Sequence, residues 1–416
     1  MAGRSLSFCM ITTFYPPYHF GGEAMYLYRL SNALAERGHE VTVVHCVDAF
    51  ELLTRAEPRG AFPLHENVTV HALESRAGFL SPLVTYLSGR PGLKAGALDR
   101  IFASRRFDVV HFHLVTLFGP GVLRYGGDAL RLYTMHDHWL VCPMYDLWKK
   151  NRELCEQPSC LSCQLAFRRP PQLWRYGSLL ERMLPEVDVF VAPSRSTIEQ
   201  HERRGFPYPI TQLPYFLPLE DLPPTAPSEG SARPYFLFVG RLVKLKGAQT
   251  LIDVFSRYDA ADLLIAGDGE YEDELRGLAE GLEHVHFLGR VHPDALRDLY
   301  AGAAAVLVPT LVYETFGLIA LEAFGRATPV IARNLGAIAE LVRDSGAGFL
   351  YDTEAELVEA MEQLRVNREL RDQLGRLGYD AARARWSEEP HLETYFGLIE
   401  AARQARGARP LEAVEG

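Results

Sequence analysis

The feature that most constrains this chain is an alternation of short, β-rich apolar runs with helical stretches, repeated in two blocks on either side of a Pro-rich gap. The first block carries "SFCMITT", "EVTVVHC", "VTVHAL", "DVVHFH", "LRLYTMH" and "VDVFVAP"; the second carries "YFLFVG", "DLLIAG", "HVHFLG", "AAVLVP", "TPVIAR" and "GFLYD". Runs of this kind separated by helices signal parallel sheets covered on their faces. A helix is expected from Glu23 to Arg37, closed by Gly38. The gap, "LPLEDLPPTAPSEGSARP", is rich in Pro, Ser and Gly and reads as a linker. A length of 416 residues also exceeds one typical domain. The expectation is an α/β chain of two doubly wound, Rossmann-like domains, 1–215 and 234–385, with a linker at 216–233 and an amphipathic tail at 386–416.

A formal net charge of -10 lacks the basic footprint expected of a general nucleic-acid binder. No apolar stretch approaches the ~20 residues that span a bilayer. The first apolar run, "LSFCMI", leads into a strand and loop rather than a cleavage site. A soluble, cytoplasmic protein is expected. Only five of the 43 basic residues are lysines, and two of these five fall in "GRLVKLKG", so their placement is informative.

Ligands of doubly wound folds sit beyond the carboxyl ends of the strands. Two such domains facing each other would place the site in the cleft between them. In the second domain, Gly240 ends an apolar run and is followed by Arg241 and Lys246, cations suited to phosphate oxygens. A solvated surface loop is the plain alternative. "VPTLVYETFGLIALE" is the stronger element, with a helix expected to start near Phe316. Its first amides, Thr315, Phe316, Gly317 and Leu318, would form an anion site. Glu314 precedes that helix, placed to accept sugar hydroxyls, and Glu322 lies within it, placed to hold a ribose diol. Eight-residue spacing decides nothing, because Glu272 and Glu280 share it. What separates Glu322 from an exposed helical residue is its neighbours Leu321, Ala323 and Phe324, which mark a buried helix whose glutamate needs a partner. Gly267 and Gly269, in "IAGDGE", add a glycine turn after another strand; such glycines are commonly just turn residues, and Gly267 is taken as a donor contact.

Taken together, "VGRLVKLKG", "GDGE", "ETFGLIALE" and the following "G-x-P-V-I-A"-like segment resemble the retaining GT-B glycosyltransferases of family 4, over nearly the whole chain. The resemblance implies two Rossmann-like domains facing across a cleft, with the C-terminal helix crossing back onto the first. It implies that Arg241 and Lys246 bind the donor diphosphate, that Glu314 and nearby amides hold the transferred sugar, and that Glu322 holds the ribose. Arg290 and Val291 would line the base pocket. Gly21 and Gly22, between the first strand and first helix, would bring backbone close to the donor phosphates; a plain turn explains one glycine more easily than two. His136, in "TMHDHW", matches a family histidine that faces the reacting sugar and is expected to orient it or steady developing charge. His113 ranks second. The reaction implied is front-face transfer of a sugar from a nucleotide-diphosphate-sugar to a glycan or lipid-linked acceptor, with the leaving diphosphate helping to deprotonate the acceptor. No divalent metal is expected at the active site, because no Asp-x-Asp follows a strand.

Cys142, Cys155, Cys160 and Cys163 cluster in one segment, 142–163, which reads as an insertion in the first domain. Disulfides are rare in cytoplasmic chains, so a structural metal is expected there, zinc or an iron–sulfur cluster, with free thiols the alternative. Cys9 and Cys46 read as core thiols. Arg168, Arg169 and Arg175 interleave with Trp174 and Tyr176, a pattern that fits peripheral membrane contact as well as an ordinary half-exposed helix. Two rival functions stay open: a sugar-nucleotide epimerase, for which Asp137 is an acid/base candidate, and a non-catalytic sugar-nucleotide-binding protein.

Overall fold

The structure, a computed structural model, describes residues 4–54, 57–58, 60–219 and 233–407. Most of the expected linker, residues 220–232, lies outside the described residues. The chain forms two compact units. One comprises Met1–Pro193, Ile198–Leu213 and Leu392–Gly416; the other comprises Ser194–Thr197 and Pro214–His391.

The first unit holds β1 (Ser7–Ile11), β2 (Glu40–Cys46), β3 (Val68–Leu73), β4 (Val109–Phe112), β5 (Leu130–Thr134), the two-residue strands β6 (Trp148–Lys149) and β7 (Glu153–Leu154), β8 (Val189–Ala192) and β9 (Ile210–Gln212). Seven of them make one sheet in the order β3-β2-β1-β4-β5-β8-β9, all parallel. β6 and β7 pair antiparallel by themselves. The central strands are buried on both faces, so β4 and β5 are buried throughout and are rich in apolar residues, interrupted only by His111 in β4 and by Arg131 and Thr134 in β5. The order reverses direction between β1 and β4, the switch point at which a doubly wound sheet opens a crevice.

The second unit repeats the plan with β10 (Tyr235–Val239), β11 (Asp262–Ala266), β12 (Val285–Gly289), β13 (Ala305–Val308), β14 (Val330–Arg333) and β15 (Gly348–Tyr351), in the order β12-β11-β10-β13-β14-β15. All pairs are parallel. Its switch point lies between β10 and β13.

Three boundaries differ from the sequence reading. The helix expected near Phe316 begins at Leu318, because Gly317 takes a φ of 114° and holds the chain out of the helix for one more residue. The first unit ends at Leu213 rather than residue 215, and the return to it begins at Leu392 rather than 386. Hydrogen bonds tie those residues to the second unit: Leu217 N–H donates to the Trp386 carbonyl at 3.0 Å, and His391 Nδ1 lies 2.7 Å from the Pro214 carbonyl oxygen. The C-terminal helix, Glu388–Ala405, does cross back: Leu392, Tyr395 and Ile399 are buried, and Tyr395 packs within the first unit against Phe8 and His111. Among the described residues, no helix is long and apolar enough to cross a membrane.

Candidate functional site

In a parallel sheet every strand's carboxyl end lies on one rim, and the residues singled out in the second unit follow those ends. Gly240 and Arg241 follow β10, Gly267 follows β11, Arg290 and Val291 follow β12, and Glu314 to Leu318 follow β13. The loops interlock there. Leu242 N–H donates to the Asp268 carbonyl at 2.7 Å, and Leu311 N–H donates to the Leu245 carbonyl at 2.9 Å. Lys246 thereby comes beside the β13 loop, and its Nζ lies 2.6 Å from Glu314 Oε1. Thr310 Oγ1 donates to the same carboxylate oxygen at 3.1 Å. Burial would raise the Glu314 carboxyl. The Lys246 charge and hydrogen bond, the Thr310 hydroxyl and the Arg241 charge outweigh it and hold the group below the usual range. Glu314 is therefore an anion fixed by two donors at the switch point, with Arg241 exposed beside it.

Glu322 sits in the short helix Leu318–Phe324, whose Ala320, Leu321, Ala323 and Phe324 are buried. The partner that such a glutamate requires is Tyr300, whose hydroxyl donates to Glu322 Oε2 at 2.9 Å. The Thr315 carbonyl accepts from Ser194 Oγ at 2.8 Å and Thr197 Oγ1 at 3.0 Å, which fixes the loop ahead of that helix. Sequence reading missed Tyr300, Thr310, Ser194 and Thr197; only Thr310, four residues before Glu314, carried a local signal. Arg290 is 72% exposed and faces Asp268 at 3.4 Å.

In the first unit, Gly21 and Gly22 lie beyond β1, His113 follows β4 and His136 follows β5, again on the carboxyl rim. Gly21 adopts φ 97°, a conformation open to glycine. The two sequence-ranked histidines meet: His113 Nδ1 lies 2.8 Å from His136 Nε2, one ring donating and the other accepting. Burial lowers His136 to about 3 and, with neighbouring His111 and His136, holds His113 well below its ordinary value. Both rings are neutral near neutral pH. A neutral His136 can donate or accept a hydrogen bond but carries no positive charge. The His113 and His111 rings lie 4.0 Å apart, centroid to centroid, tilted by 37°; His111 in turn lies 2.9 Å from the Tyr395 hydroxyl and 2.7 Å from Thr134 Oγ1. Next to His136, burial, with Asp146 and Glu23 adding, raises the Asp137 carboxyl to about 7.

All four clustered cysteines line one small cavity together with Met144, Trp148 and Lys149. The Lys150 amide donates to Cys163 Sγ at 3.3 Å. Among the described residues, however, no group of three or more His, Cys, Asp or Glu side chains is disposed to hold a metal ion. Cys9 and Cys46 are buried, as expected.

Two doubly wound Rossmann-like units, the first completed by the C-terminal helix, are the architecture of a GT-B protein. Residues 20–220 match the family described as Glycosyltransferase Family 4, and residues 226–381 match Glycosyl transferases group 1. The chain belongs to the family 4 glycosyltransferases. It is 35% identical over 155 residues to a phosphatidyl-myo-inositol mannosyltransferase of Mycobacterium leprae, covering 35% of this chain and 41% of that one. Among solved structures it resembles sucrose-phosphate synthase from Thermosynechococcus elongatus, with TM-score 0.72, 20% identity and coverage of 96% and 99%. It also resembles Anabaena HepE in complex with UDP and glucose, with TM-score 0.66, 18% identity and coverage of 95% and 99%. The chain spans 29%, 41% and 44% of the length of three curated relatives it matches.

Proposed function

We propose that the chain transfers a sugar, with retention, from a nucleotide-diphosphate-sugar to a hydroxyl of a glycan or lipid-linked acceptor. The observation that carries this reading is the Lys246–Glu314 pair at the switch point of the second unit, with Arg241 beside it. A donor diphosphate brings the anionic charge that Arg241 and Lys246 would share, and Thr315 to Leu318 supply amides beside it. Lys246, drawn to phosphate, would release part of the Glu314 carboxylate to accept hydroxyls of the transferred sugar. Glu322, held by Tyr300, is assigned to the ribose; Gly267, Arg290 and Val291 are assigned to the nucleotide, and Gly21 and Gly22 to the phosphates. Neutral His136 orients the sugar through a hydrogen bond. The bond from the anomeric carbon to the diphosphate oxygen breaks, and the bond to the acceptor oxygen forms on the same face. The acceptor proton passes to the leaving phosphate oxygen. UDP in the HepE structure supports a nucleotide-sugar donor.

The test is nucleotide release from UDP-, GDP- and ADP-sugars with and without acceptor. Acceptor-stimulated release from one donor, reduced about tenfold or more in Glu314→Ala and Lys246→Ala, supports the reading. Wild-type rates in both variants overturn the assignments. A second reading, sugar-nucleotide epimerisation, is favoured by the near-neutral Asp137 carboxyl, which suits general acid/base work. Appearance of an epimerised donor without transfer would select it.

The four thiols share one cavity, which supports a structural zinc or iron–sulfur cluster there, although among the described residues no such group is disposed to hold a metal ion. Metal analysis of anaerobically purified protein decides; neither zinc nor iron at stoichiometric level removes the metal.

A further inference from the structure

The helix Leu80–Ser88 in the first unit is built inside out. Its buried residues are Ser81, Pro82 and Thr85. Ser81 and Thr85 accept hydrogen bonds from the ammonium of buried Lys94 at 3.2 and 3.0 Å. Its large apolar residues point the other way: Leu80, Val84 and Leu87 are exposed, as is Phe79 just before it at 61%. An ordinary surface helix turns its apolar face to the core. Here a buried lysine claims the inner face, so folding of the monomer gives no account of the outer one.

The surface continues onto a second segment. Trp174 Nε1 donates to the Tyr86 carbonyl at 2.9 Å, and the turn Leu173–Tyr176 exposes Leu173 at 69% and Tyr176 at 62%. An exposed apolar area of this kind marks an interaction site. Charge indicates the partner. The chain carries a formal net charge of -10, yet residues 75–98 and 157–180 contain no Asp or Glu. Arg76, Arg90 and Arg168 stand exposed within those stretches. A second copy docking by two-fold symmetry would bring the same cations together. A bilayer with anionic headgroups instead accepts the apolar side chains at its acyl boundary and pairs with the exposed arginines of the same stretches.

We infer that this face, helix Leu80–Ser88 with the Leu173–Tyr176 turn, docks the protein peripherally on an anionic membrane surface. The acidic remainder of the chain would be repelled by that surface, which orients the contact. The inference does not depend on the reaction proposed above.

The experiment is co-sedimentation of the full chain with vesicles of equal parts phosphatidylglycerol and phosphatidylcholine, and with vesicles of phosphatidylcholine alone. Wild type should pellet with the anionic vesicles, less so at high salt. The triple variant Leu80→Ser, Val84→Ser, Leu87→Ser should lower partitioning by roughly tenfold or more. Arg76→Glu, Arg90→Glu, Arg168→Glu should lower it on the anionic vesicles alone. All these side chains are exposed, so melting temperatures should stay at the wild-type value; Leu173→Ser with Tyr176→Ser tests the same face from a turn. Wild type remaining in the supernatant overturns the inference. So does equal binding by the apolar variants, or a vesicle-independent dimer that those variants abolish.

Discussion

Asp137 shows how one buried carboxyl beside His136 becomes visible in the pH dependence of stability. Its Oδ1 accepts the Trp139 amide at 2.9 Å, yet burial wins and the group rises to about 7 from an ordinary 3.8. A folded value above the unfolded one means that the folded chain binds the proton more tightly. The stabilising contribution is full below about pH 4 and is lost as pH rises through about 7. His136 runs the other way: its folded value of about 3 lies below 6.5, so its contribution is present above 6.5 and is lost as pH falls through about 3. The two groups oppose each other between about pH 4 and 6.5, so calorimetric melting of Asp137→Asn should show stability rising more steeply with pH than in wild type over that range; parallel profiles would remove the buried-carboxyl account. At the same scale, Tyr300→Phe deletes a hydroxyl that donates to Glu322 and should cost about 1 kcal/mol of stability. If Glu322 holds the ribose, that variant should raise donor KM with little change in kcat, which steady-state kinetics would show. Glu314, Glu322, Lys246 and His136 were legible because each sits in a local pattern around a strand end. Tyr300 was not, because it reaches Glu322 from the separate helix Pro293–Gly302, and nothing in its own neighbourhood announces the carboxylate.

Elements follow the same division between local and non-local causes. All twelve strands expected from apolar runs are present, because parallel strands in a helix-covered sheet are rich in apolar residues even where, as in β3 and β12, some positions are exposed. β9 was not legible: it is three residues, Ile-Thr-Gln, at the edge of the sheet and none is fully buried. The pair β6–β7, two residues each inside the cysteine segment, left no run to find. Gly267, read from sequence as a donor contact, has a packing reason of its own. With φ 142°, a Cβ there would stand 1.9 Å from the Gly240 carbonyl oxygen, so β10 and β11 can end side by side only around a glycine. Gly267→Ala should lower stability by roughly 2 kcal/mol or more, since strain and overlap act together. Urea unfolding measures that loss. Nucleotide affinity should fall with it, because the displaced loop carries Arg241 and Lys246. A stable variant with intact affinity would show that the loops separate freely.

At the scale of the whole molecule, the first unit is completed by the last segment of the chain. The sequence leaves it at Leu213, builds the second unit, and returns at Leu392. What the returning helix delivers is specific: Leu392, Tyr395 and Ile399 are at most 2% exposed, and the Tyr395 hydroxyl meets His111, whose ring packs at a tilt on His113, which meets His136. The amphipathic tail was legible, but this histidine ladder was not, since it joins side chains from β4, β5 and a helix about 284 residues further on. Ending the chain after His391 would expose the cavity left by three buried apolar side chains, each worth about 1.5–3 kcal/mol. Their sum is comparable to the ~5–15 kcal/mol that holds an ordinary domain together. The truncated chain should therefore lose the cooperative melting of its first unit. Residues 214–391 lose none of their own core, so nucleoside diphosphate binding by calorimetry should persist. Tyr395→Phe is the gentler arm: it keeps the apolar packing, leaves a buried His111 nitrogen without its hydroxyl, and should cost about 1–3 kcal/mol. If His136 orients the sugar, Tyr395→Phe should also lower kcat while donor affinity stays at the wild-type value. Loss of nucleotide binding in the truncated chain would show instead that the second unit depends on the returning helix.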